Sequence, residues 1–461
     1  MKTGLITTIL IVTASLSANA QSYHFDLGST TAAEGYTAVT PETLYSAELG
    51  YGFEPGAEIS AVSVKKGDPL TGDFVTSSEP FKFSVKLPEG NYLVKVTLGD
   101  TNKKGTSRTT IKSEIRRLMV ESLETENGQV KVAEFNCNIR TPQLSKGNTI
   151  KLNTSEIDYN TGEIKKLTWD DRLTLQFNDE KPAVCAIDIE PAPSSTIQVF
   201  IIGDSTVTDQ ASAGTWGQYL PRWFDTNVVV CNHAESGMTL KGFRFGRRWD
   251  KIMESAKEGD YLLIQLGTND EKAHGHDPMW DSEDHAGDWD RTHSAADKDY
   301  IWELATMAVE AQRKGMIPVI VSPMTKINRM DATATELMTP YGINAPKAAE
   351  LAGCAYIDLW GNSRDIVKAL GQDALHAYSD GTHTDNYGAY LFSLCIVKGL
   401  KENGLDIVKY LVPDTMDIDP KSPKPTFSDF TVPIEPRKMP QGAPRAPQGP
   451  RPNGMTEFGP L

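Results

Sequence analysis

The first half of the chain alternates apolar and polar residues over short runs. Gly, Asn, Asp or Pro separate these runs, of which the clearest are PFKFSVKLPEG, NYLVKVTLGD, QVKVAEFNCNI, RLTLQFND and AVCAIDIEP. Alternation with a period of two places successive side chains on opposite faces of a strand. Frequent turn residues between such runs are typical of strands that follow one another antiparallel. We therefore predict an antiparallel β-sandwich over residues 21–192.

The pattern changes after Pro191–Ser195, which we interpret as a linker. Five near-continuous apolar runs follow it: IQVFIIGD, NVVVCNHA, DYLLIQLG, MIPVIVSP and AYIDLW. Runs of this kind are typical of strands that are covered on both faces. Their alternation with helix-length segments predicts an α/β domain with a parallel sheet over residues 193–410. Its last helix would span about residues 385–403, with Thr384 or Asp385 as its cap.

Both ends of the chain differ in composition from the middle. Residues 1–20 contain one Lys, an apolar run and the sequence Ala18-Asn19-Ala20, which together predict a secretory signal peptide. The apolar run is shorter than the ~20 residues that a membrane-spanning helix needs. We therefore expect export to the periplasm or the exterior, with no membrane insertion after the signal is removed. Residues 411–461 are rich in Pro and Gly, which predicts a disordered tail.

Charge and cysteine content exclude several classes of protein. The formal net charge of −15 argues against a nucleic-acid binder that relies on neutralising phosphates. The five cysteines are scattered and lack the spacing of a metal cluster or a disulfide framework. Cys231, Cys354 and Cys395 lie in apolar runs, so we expect them to be buried. One disulfide between Cys137 and Cys185 remains open in an oxidising compartment.

Four polar motifs stand at the ends of predicted strands or just before the last helix. They are GDS at Ser205, ESG at Gly237, GTND at Asn269, and DGTH, which contains Asp380 and His383. The carboxyl ends of parallel strands form the ligand-binding edge of such a sheet. A GDS turn alone is more often only a turn. The joint occurrence of all four motifs, in order and in these positions, favours a catalytic site.

Each motif supplies a group that acyl transfer needs. Ser205 would be the nucleophile, and a neutral His383 can remove its proton near pH 7. Asp380 can fix the tautomer of His383 and stabilise the imidazolium. The backbone amides of Ser205 and Gly237, together with the side chain of Asn269, are candidate donors to the oxyanion.

The motifs resemble those of the SGNH (GDSL-like) hydrolases. The four residues that name the family correspond here to Ser205, Gly237, Asn269 and His383, with Asp380 completing the triad. Within this superfamily, GDST, NHAESGMTLKGF, LLIQLGTND and DGTHTDNYGA look most like the rhamnogalacturonan acetylesterase group of carbohydrate esterases. The resemblance covers about residues 196–402. It implies a flavodoxin-like, three-layer α/β/α hydrolase domain that follows a galactose-binding-like β-sandwich. This layout is similar to that of secreted bacterial pectin acetylesterases. The resemblance also implies that the reaction needs no cofactor.

Two departures from this pattern concern the substrate. The third block is GTND where many of these esterases have GHND, and the segment 271–293 that follows is rich in His, Asp and Trp. This segment is either a metal site, since imidazole and carboxylate suit several divalent ions, or a polar loop in which Trp280 or Trp289 stacks on a sugar. The family chemistry requires no metal, and we predict none.

A basic cluster follows the Gly237 block. It consists of Lys241, Arg244, Arg247, Arg248 and Lys251. On an acidic protein, this cluster either meets galacturonate carboxylates, mainly through Arg244 and Arg247, or is a solvated helix face.

The sequence thus predicts a secreted serine esterase that removes O-acetyl groups from a pectic polysaccharide or oligosaccharide, most simply rhamnogalacturonan. Alternatives within enzymes are an esterase for acetylated xylan, peptidoglycan or sialic acid, and a lipase or lysophospholipase. A glycan-binding protein with an inert α/β domain is the alternative outside enzymes, which the intact Ser205, Asp380 and His383 disfavour. The sequence does not indicate an oligomeric state.

Overall fold

The structure is a computed structural model that describes residues 22–64, 68–153, 156, 164, 166–211, 214–271, 294 and 296–433. The predicted signal peptide, residues 1–20, lies outside the described residues. None of the helices in the described ranges is long and apolar enough to cross a membrane.

The first half of the chain contains twelve strands within its described residues. They are β1 (Tyr23–Leu27), β2 (Thr37–Val39), β3 (Tyr51–Phe53), β4 (Ser60–Ser63), β5 (Asp73–Thr76), β6 (Phe81–Lys86), β7 (Gly90–Leu98), β8 (Ser107–Ser113), β9 (Arg117–Thr125), β10 (Lys131–Ile139), β11 (Arg172–Lys181) and β12 (Val184–Pro191).

These strands form two sheets around one core. One sheet has the order β10-β7-β12-β1-β2, with β5 pairing to β12 and β4 to β5, and the other has the order β3-β6-β11-β8-β9. All neighbouring strands are antiparallel except β1 and β2. The core joins Phe25, Val94 and Ile187 of the first sheet to Phe83 and Leu175 of the second. The predicted β-sandwich is confirmed.

The second half contains a separate parallel sheet. Its five strands are β13 (Ile197–Gly203), β14 (Val228–Asn232), β15 (Tyr261–Gln265), β16 (Ile317–Val321) and β19 (Ala355–Ile357), in the order β14-β13-β15-β16-β19. The short strands β17 (Ile327–Asn328) and β18 (Thr333–Ala334) form a hairpin beside it. The order 2-1-3-4-5 of the parallel strands is that of flavodoxin-like folds. The predicted α/β fold class is therefore confirmed.

Helices cover both faces of the parallel sheet. They are α1 (Trp216–Tyr219), α2 (Leu240–Phe245), α3 (Arg248–Ser255), α4 (Lys298–Arg313), α5 (Thr339–Ala352), α6 (Leu359–Leu370), α7 (Ala374–Ala377) and α8 (Asn386–Glu402). Alternate strand residues enter different cores: Ile201 and Leu263 pack in the core that contains α8, whereas Phe200 and Leu262 pack in the core that contains α4. Burial on both faces explains why these strands are apolar throughout.

Helix α5 is the main element that the sequence pattern does not predict. Pro346 lies inside it, and its first turns contain Gly342, two residues that normally argue against a helix. A side chain at Gly342 would overlap the ring of Trp360. Close packing against α6 therefore requires the glycine and compensates for its poor helix propensity.

The chain continues to pack beyond the predicted end of the domain. Ile418 and Val432 are buried in the same core as α8, and the ring of Phe430 lies 5.4 Å from that of Tyr390. The predicted disordered tail therefore does not begin at residue 411, because the apolar residues of 411–433 cover the outer face of α8. Residues 434–461 lie outside the described residues.

All five cysteines are free, so the Cys137–Cys185 disulfide is not formed. The two residues lie on β10 and β12, which pair with opposite sides of β7. Cys137 is level with Tyr92, whereas Val184 is level with Leu98, six residues along the same strand. Two strand spacings and this offset exceed the ~7 Å that a disulfide can bridge between Cα atoms.

Candidate active site

A tight turn at the carboxyl end of β13 presents Ser205. The Asp204 carboxylate accepts hydrogen bonds from the Thr206 amide at 2.9 Å and the Thr206 hydroxyl at 2.8 Å, and the Asp204 carbonyl accepts one from the Val207 amide at 3.0 Å. A side chain at Gly203 would overlap Val207, so glycine permits the close return of the chain. Asp204 itself is buried, whereas Ser205 is partly exposed at the sheet edge. The turn thus holds Ser205 at the edge where the other motifs end.

Ser205, His383 and Asp380 form a continuous hydrogen-bonded chain. Ser205 Oγ lies 2.8 Å from His383 Nε2, and His383 Nδ1 lies 2.8 Å from Asp380 Oδ2. An ionised Asp380 can only accept, so Nδ1 carries the proton and donates it to the carboxylate. Nε2 is then the acceptor for the Ser205 hydroxyl. This is the arrangement that serine nucleophile chemistry requires.

Several hydrogen bonds keep Asp380 ionised. Burial alone would raise its pKa, but the His383 side chain, the His383 amide at 2.7 Å and the Thr382 amide at 2.6 Å all donate to it and lower the pKa well below its usual value. The carboxylate therefore remains charged beside His383 throughout the neutral range.

Backbone pairing fixes the turn that carries His383. The Ser379 amide donates to the His383 carbonyl at 2.9 Å, and the Ile327 amide donates to the Gly381 carbonyl at 2.9 Å. Asp385 caps α8 directly after the turn, as predicted. The histidine thus projects from a short loop that is held at both ends.

The Gly237 and Asn269 loops are joined to this centre. The Glu235 amide donates to the Gly203 carbonyl at 3.1 Å, which ties the Gly237 loop to the nucleophile strand. Asn269 Nδ2 donates to the Met238 carbonyl at 3.1 Å, and Gly237 has a φ of +77°, which favours glycine. The side-chain amide of Asn269 has two N–H groups, so one remains for a ligand.

Asp270, directly after Asn269, ties three segments together and was missed by the sequence analysis. It is fully buried and accepts hydrogen bonds from the Ser294 amide at 2.9 Å and the Leu240 amide at 3.3 Å. Burial, reinforced by the charge of Asp204, raises its pKa to about 7. The final Asp of the GTND motif therefore anchors the Asn269 loop to the start of α2.

Buried charges from the first half of the chain lie behind the Gly237 loop, and no motif predicted them. Lys166 pairs with Glu235, and Arg248 pairs with Glu156. All four side chains are buried or nearly so. The polar alternation of the first half gave no signal for these residues, because their partners are distant in sequence.

The hairpin tip between β8 and β9 forms a second contact with the catalytic half. Arg117 Nε donates to Asp209 Oδ2 at 2.7 Å, and both side chains are buried. The Ile115 carbonyl accepts a hydrogen bond from Gln218 Nε2 at 2.6 Å. The sandwich thus packs against the segment that follows Ser205.

The basic cluster does not form the open positive patch that was predicted as one alternative. Each cation has a carboxylate partner: Lys241 pairs with Asp299, Arg244 with Glu310, Arg247 with Asp250, Arg248 with Glu156 and Lys251 with Glu89. The Arg247–Asp250 pair is local to the start of α3, and the other four pairs link α2 to α4 or α3 to the first half of the chain. The structure therefore does not support Arg244 and Arg247 as substrate ligands.

The other tentative substrate residues, Trp280 and Trp289, lie outside the described residues, as do the four histidines of the same segment. Within the ranges that are described, no group of three or more His, Cys, Asp or Glu is arranged to hold a metal ion.

Two family models match the chain. Residues 201–389 match the GDSL-like lipase/acylhydrolase family. Residues 23–158 match the model described as beta-agarase/YXIM esterase-like, galactose-binding domain-like. The first range contains all five residues of the predicted site, and the second falls within the β-sandwich.

Individual proteins are similar either to most of the chain or to about half of it. The uncharacterized esterase YxiM of Bacillus subtilis is 24% identical over 406 residues, which cover 84% of this chain and 93% of that protein. The rhamnogalacturonan acetylesterase RhgT of Bacillus subtilis is 29% identical over 238 residues, 47% of this chain and 94% of that protein. The crystal structure of YxiM covers 84% of this chain and 99% of its own, with 22% identity and a TM-score of 0.41.

The matched models, with the rhamnogalacturonan acetylesterases among the relatives, identify the catalytic half and the domain that precedes it. Residues 201–389 thus form a GDSL-like (SGNH) hydrolase domain that is similar to rhamnogalacturonan acetylesterases, and the protein is a carboxylic ester hydrolase.

Proposed function

We propose that the protein is an exported esterase that removes O-acetyl groups from a pectic polysaccharide, with rhamnogalacturonan as its substrate. The observation that carries this proposal is the hydrogen-bonded chain Ser205–His383–Asp380. The similarity of the protein to the rhamnogalacturonan acetylesterase RhgT supports the choice of substrate. The signal sequence in residues 1–20 supports export.

The first half-reaction transfers the acetyl group to the protein. Ser205 Oγ attacks the acetyl carbonyl carbon while its proton passes to His383 Nε2, and the carbonyl π electrons move to oxygen. The tetrahedral intermediate collapses, the C–O bond to the sugar breaks, and the His383 imidazolium donates its proton to the departing sugar oxygen. Asp380 stabilises the imidazolium without taking up the proton.

The second half-reaction returns the protein to its starting state. His383 accepts a proton from water, whose oxygen attacks the acetyl-Ser205 carbonyl. Collapse of this second intermediate breaks the bond to Ser205 Oγ, which recovers its proton from His383, and acetic acid leaves. In both intermediates the backbone amides of Ser205 and Gly237 and the side chain of Asn269 would donate to the oxyanion.

Acetate release from acetylated rhamnogalacturonan, acetylated xylan and an aryl acetate tests the proposal. Wild-type protein is expected to deacetylate rhamnogalacturonan with the highest kcat/KM. Ser205→Ala is expected to reduce acetate release from every substrate by about 10³-fold or more, because it removes the nucleophile. Equal activity of the two proteins would exclude Ser205, and a preference for long acyl chains would favour a lipase. Recovery of the intact precursor in the cytoplasm would contradict export.

A further inference from the structure

The segment between β10 and β11 of the sandwich reaches the loop that carries Gly237. Asn153 Nδ2 donates a hydrogen bond to the Ser236 carbonyl at 3.3 Å. Lys166 Nζ pairs with Glu235 and donates to Thr208 Oγ1 at 2.9 Å. Two side chains from the first half of the protein thus contact consecutive residues, Glu235 and Ser236, of the Gly237 loop.

The contact of Asn153 concerns one particular peptide group. The carbonyl of Ser236 and the N–H of Gly237 belong to the same planar amide, so a hydrogen bond to the oxygen also orients the N–H. A hydrogen bond to the carbonyl polarises the amide and strengthens its N–H as a donor. Glycine at this position adopts a φ of +77° and has wide conformational freedom, so an external contact is needed to hold it.

The contact of Lys166 holds the preceding peptide group. Glu235 Oε1 accepts a hydrogen bond from the Ser236 amide at 2.8 Å. Burial would raise the pKa of Glu235, but the Lys166 ammonium group, together with a hydrogen bond to the Glu156 side chain and the charge of Arg248, outweighs this effect and lowers it. The carboxylate therefore stays ionised and keeps its bond to Ser236. Loss of the ammonium group would remove the largest favourable interaction of this buried carboxylate and so weaken its ionised form.

We propose that Asn153 and Lys166 are positioning residues for the oxyanion site, so that the β-sandwich region completes the esterase centre. Asn153 orients the Ser236–Gly237 amide, and Lys166 orients Glu235, which holds Ser236. This role rests on the proposed function of Gly237 as an oxyanion donor. Neither residue touches the substrate.

Two substitutions separate this role from a simple packing contribution. Asn153→Asp keeps the size of the side chain but replaces the donor with an acceptor that faces the Ser236 carbonyl. Lys166→Met removes the charge and keeps most of the side-chain volume. Each variant is expected to lower kcat for para-nitrophenyl acetate by about 10- to 100-fold, with KM changed less than about threefold. Lys166→Arg, which retains the charge, is expected to recover part of the loss.

A transition-state analogue provides the second measurement. Phenylboronic acid forms a tetrahedral adduct with a serine nucleophile, and one oxygen of this adduct occupies the oxyanion position. Its inhibition constant is expected to rise in each variant by the same factor as kcat/KM falls, because only the tetrahedral state uses the Gly237 amide. A purely structural role would not produce this correspondence.

Arg222→Met is the matched control. Arg222 also links the two halves, through Glu121 at 3.3 Å, but it lies away from the Gly237 loop. The control is expected to lower the midpoint of thermal unfolding while leaving kcat and boronate inhibition unchanged.

The proposal is overturned if Asn153→Asp and Lys166→Met retain wild-type kcat and boronate affinity. It is also overturned if Arg222→Met loses as much activity, for the same fall in its unfolding midpoint, as the Asn153 and Lys166 variants do. Ser205→Ala, measured in parallel, separates the two hypotheses. An active Ser205→Ala protein contradicts the proposed function, whereas an inactive one with unaffected Asn153 and Lys166 variants contradicts only the positioning role.

Discussion

The two oxygens of Asp380 serve different groups. Oδ1 accepts from the Thr382 and His383 amides and so closes the turn, whereas Oδ2 accepts from the His383 ring. An asparagine can keep the first set of contacts through its amide oxygen. It cannot keep the second, because its N–H₂ group would face a ring nitrogen that must itself donate.

Asp380→Asn is therefore expected to fold normally and lose most of its activity. The substituted amide favours the His383 tautomer with the proton on Nε2, which cannot accept the Ser205 proton. We expect kcat to fall by up to about 10⁴-fold. Steady-state kinetics with para-nitrophenyl acetate measure the loss, and far-ultraviolet circular dichroism checks the fold. A variant with kcat within threefold of wild type would show that His383 does not depend on Asp380.

The sequence could predict Ser205, Gly237, Asn269 and the Asp380–His383 pair because each lies within a few residues of a strand or helix end. It could not predict Asn153 or Lys166. They lie in a segment without alternation or motif, and their partners Ser236 and Glu235 are more than sixty residues away. Contacts of this kind follow from how two domains dock, which no local pattern records.

At the level of elements, the tip of the β8–β9 hairpin contains a buried acid. Glu114 is 3% exposed, has a φ of 53°, and accepts a hydrogen bond from the Thr174 amide at 3.2 Å. Burial raises its pKa to about 8, although the charge of Arg117 opposes the shift. The carboxyl group of Glu114 therefore keeps its proton in the folded state at pH values at which it has lost that proton in the unfolded chain.

This proton makes folding stability pH-dependent in a definite direction. Between the ordinary pKa of 4.5 and the folded value of about 8, the folded state binds more protons, so the free energy of unfolding falls as pH rises. Glu114→Gln keeps the acceptor for Thr174 and removes the titration. As the pH rises from about 5 to about 8, the free energy of unfolding of the variant is therefore expected to increase relative to that of wild type.

Urea unfolding of both proteins at the two pH values measures this gain. Glu124→Gln changes an exposed carboxyl on β9, whose side chain is 65% exposed, and controls for the loss of one charge in the same hairpin. Parallel pH profiles of Glu114→Gln and wild type would contradict a shifted Glu114.

All five strands of the parallel sheet were predicted, and so were the longest strands of the sandwich, whereas several helices were not. Strand periodicity is visible within five to nine residues, as in β7, where Tyr92, Val94 and Val96 are buried and Asn91 and Lys95 are not. Helix α5 was not predicted because Pro346 and Gly342 are residues that normally argue against a helix. Its packing against Trp360 becomes apparent only in the folded structure.

At the scale of the whole molecule, the two halves are joined by buried charge pairs. Arg117–Asp209, Lys166–Glu235 and Arg248–Glu156 all cross between them. Removing one partner of a buried pair costs about 3–5 kcal/mol, because the other charge is left unpaired. The sandwich is therefore an integral part of the esterase rather than an appended module.

The C-terminal segment, residues 411–433, also packs against the α/β domain, and its removal is expected to destabilise the protein. Residues 411–433 bury Ile418 and Val432 against α8, and Lys112 on β8 donates to the Pro433 carbonyl at 2.8 Å. A chain that ends at Tyr410 loses these contacts, whereas a chain that ends at residue 433 keeps the packed residues. Burial of each aliphatic side chain contributes about 1.5–3 kcal/mol, so the shorter chain is expected to be less stable by about 3–6 kcal/mol.

Thermal unfolding of the two truncated proteins, each beginning at the same residue, measures this difference. Val432→Ala in the longer chain controls for chain length and is expected to lower the unfolding midpoint in the same direction, but less. The reason is that the substitution removes two methyl groups from the core while the rest of the segment still covers α8. If both truncated proteins unfold at the same temperature, residues 411–433 contribute nothing to the core. The domain would then end at residue 410, as the sequence alone suggested.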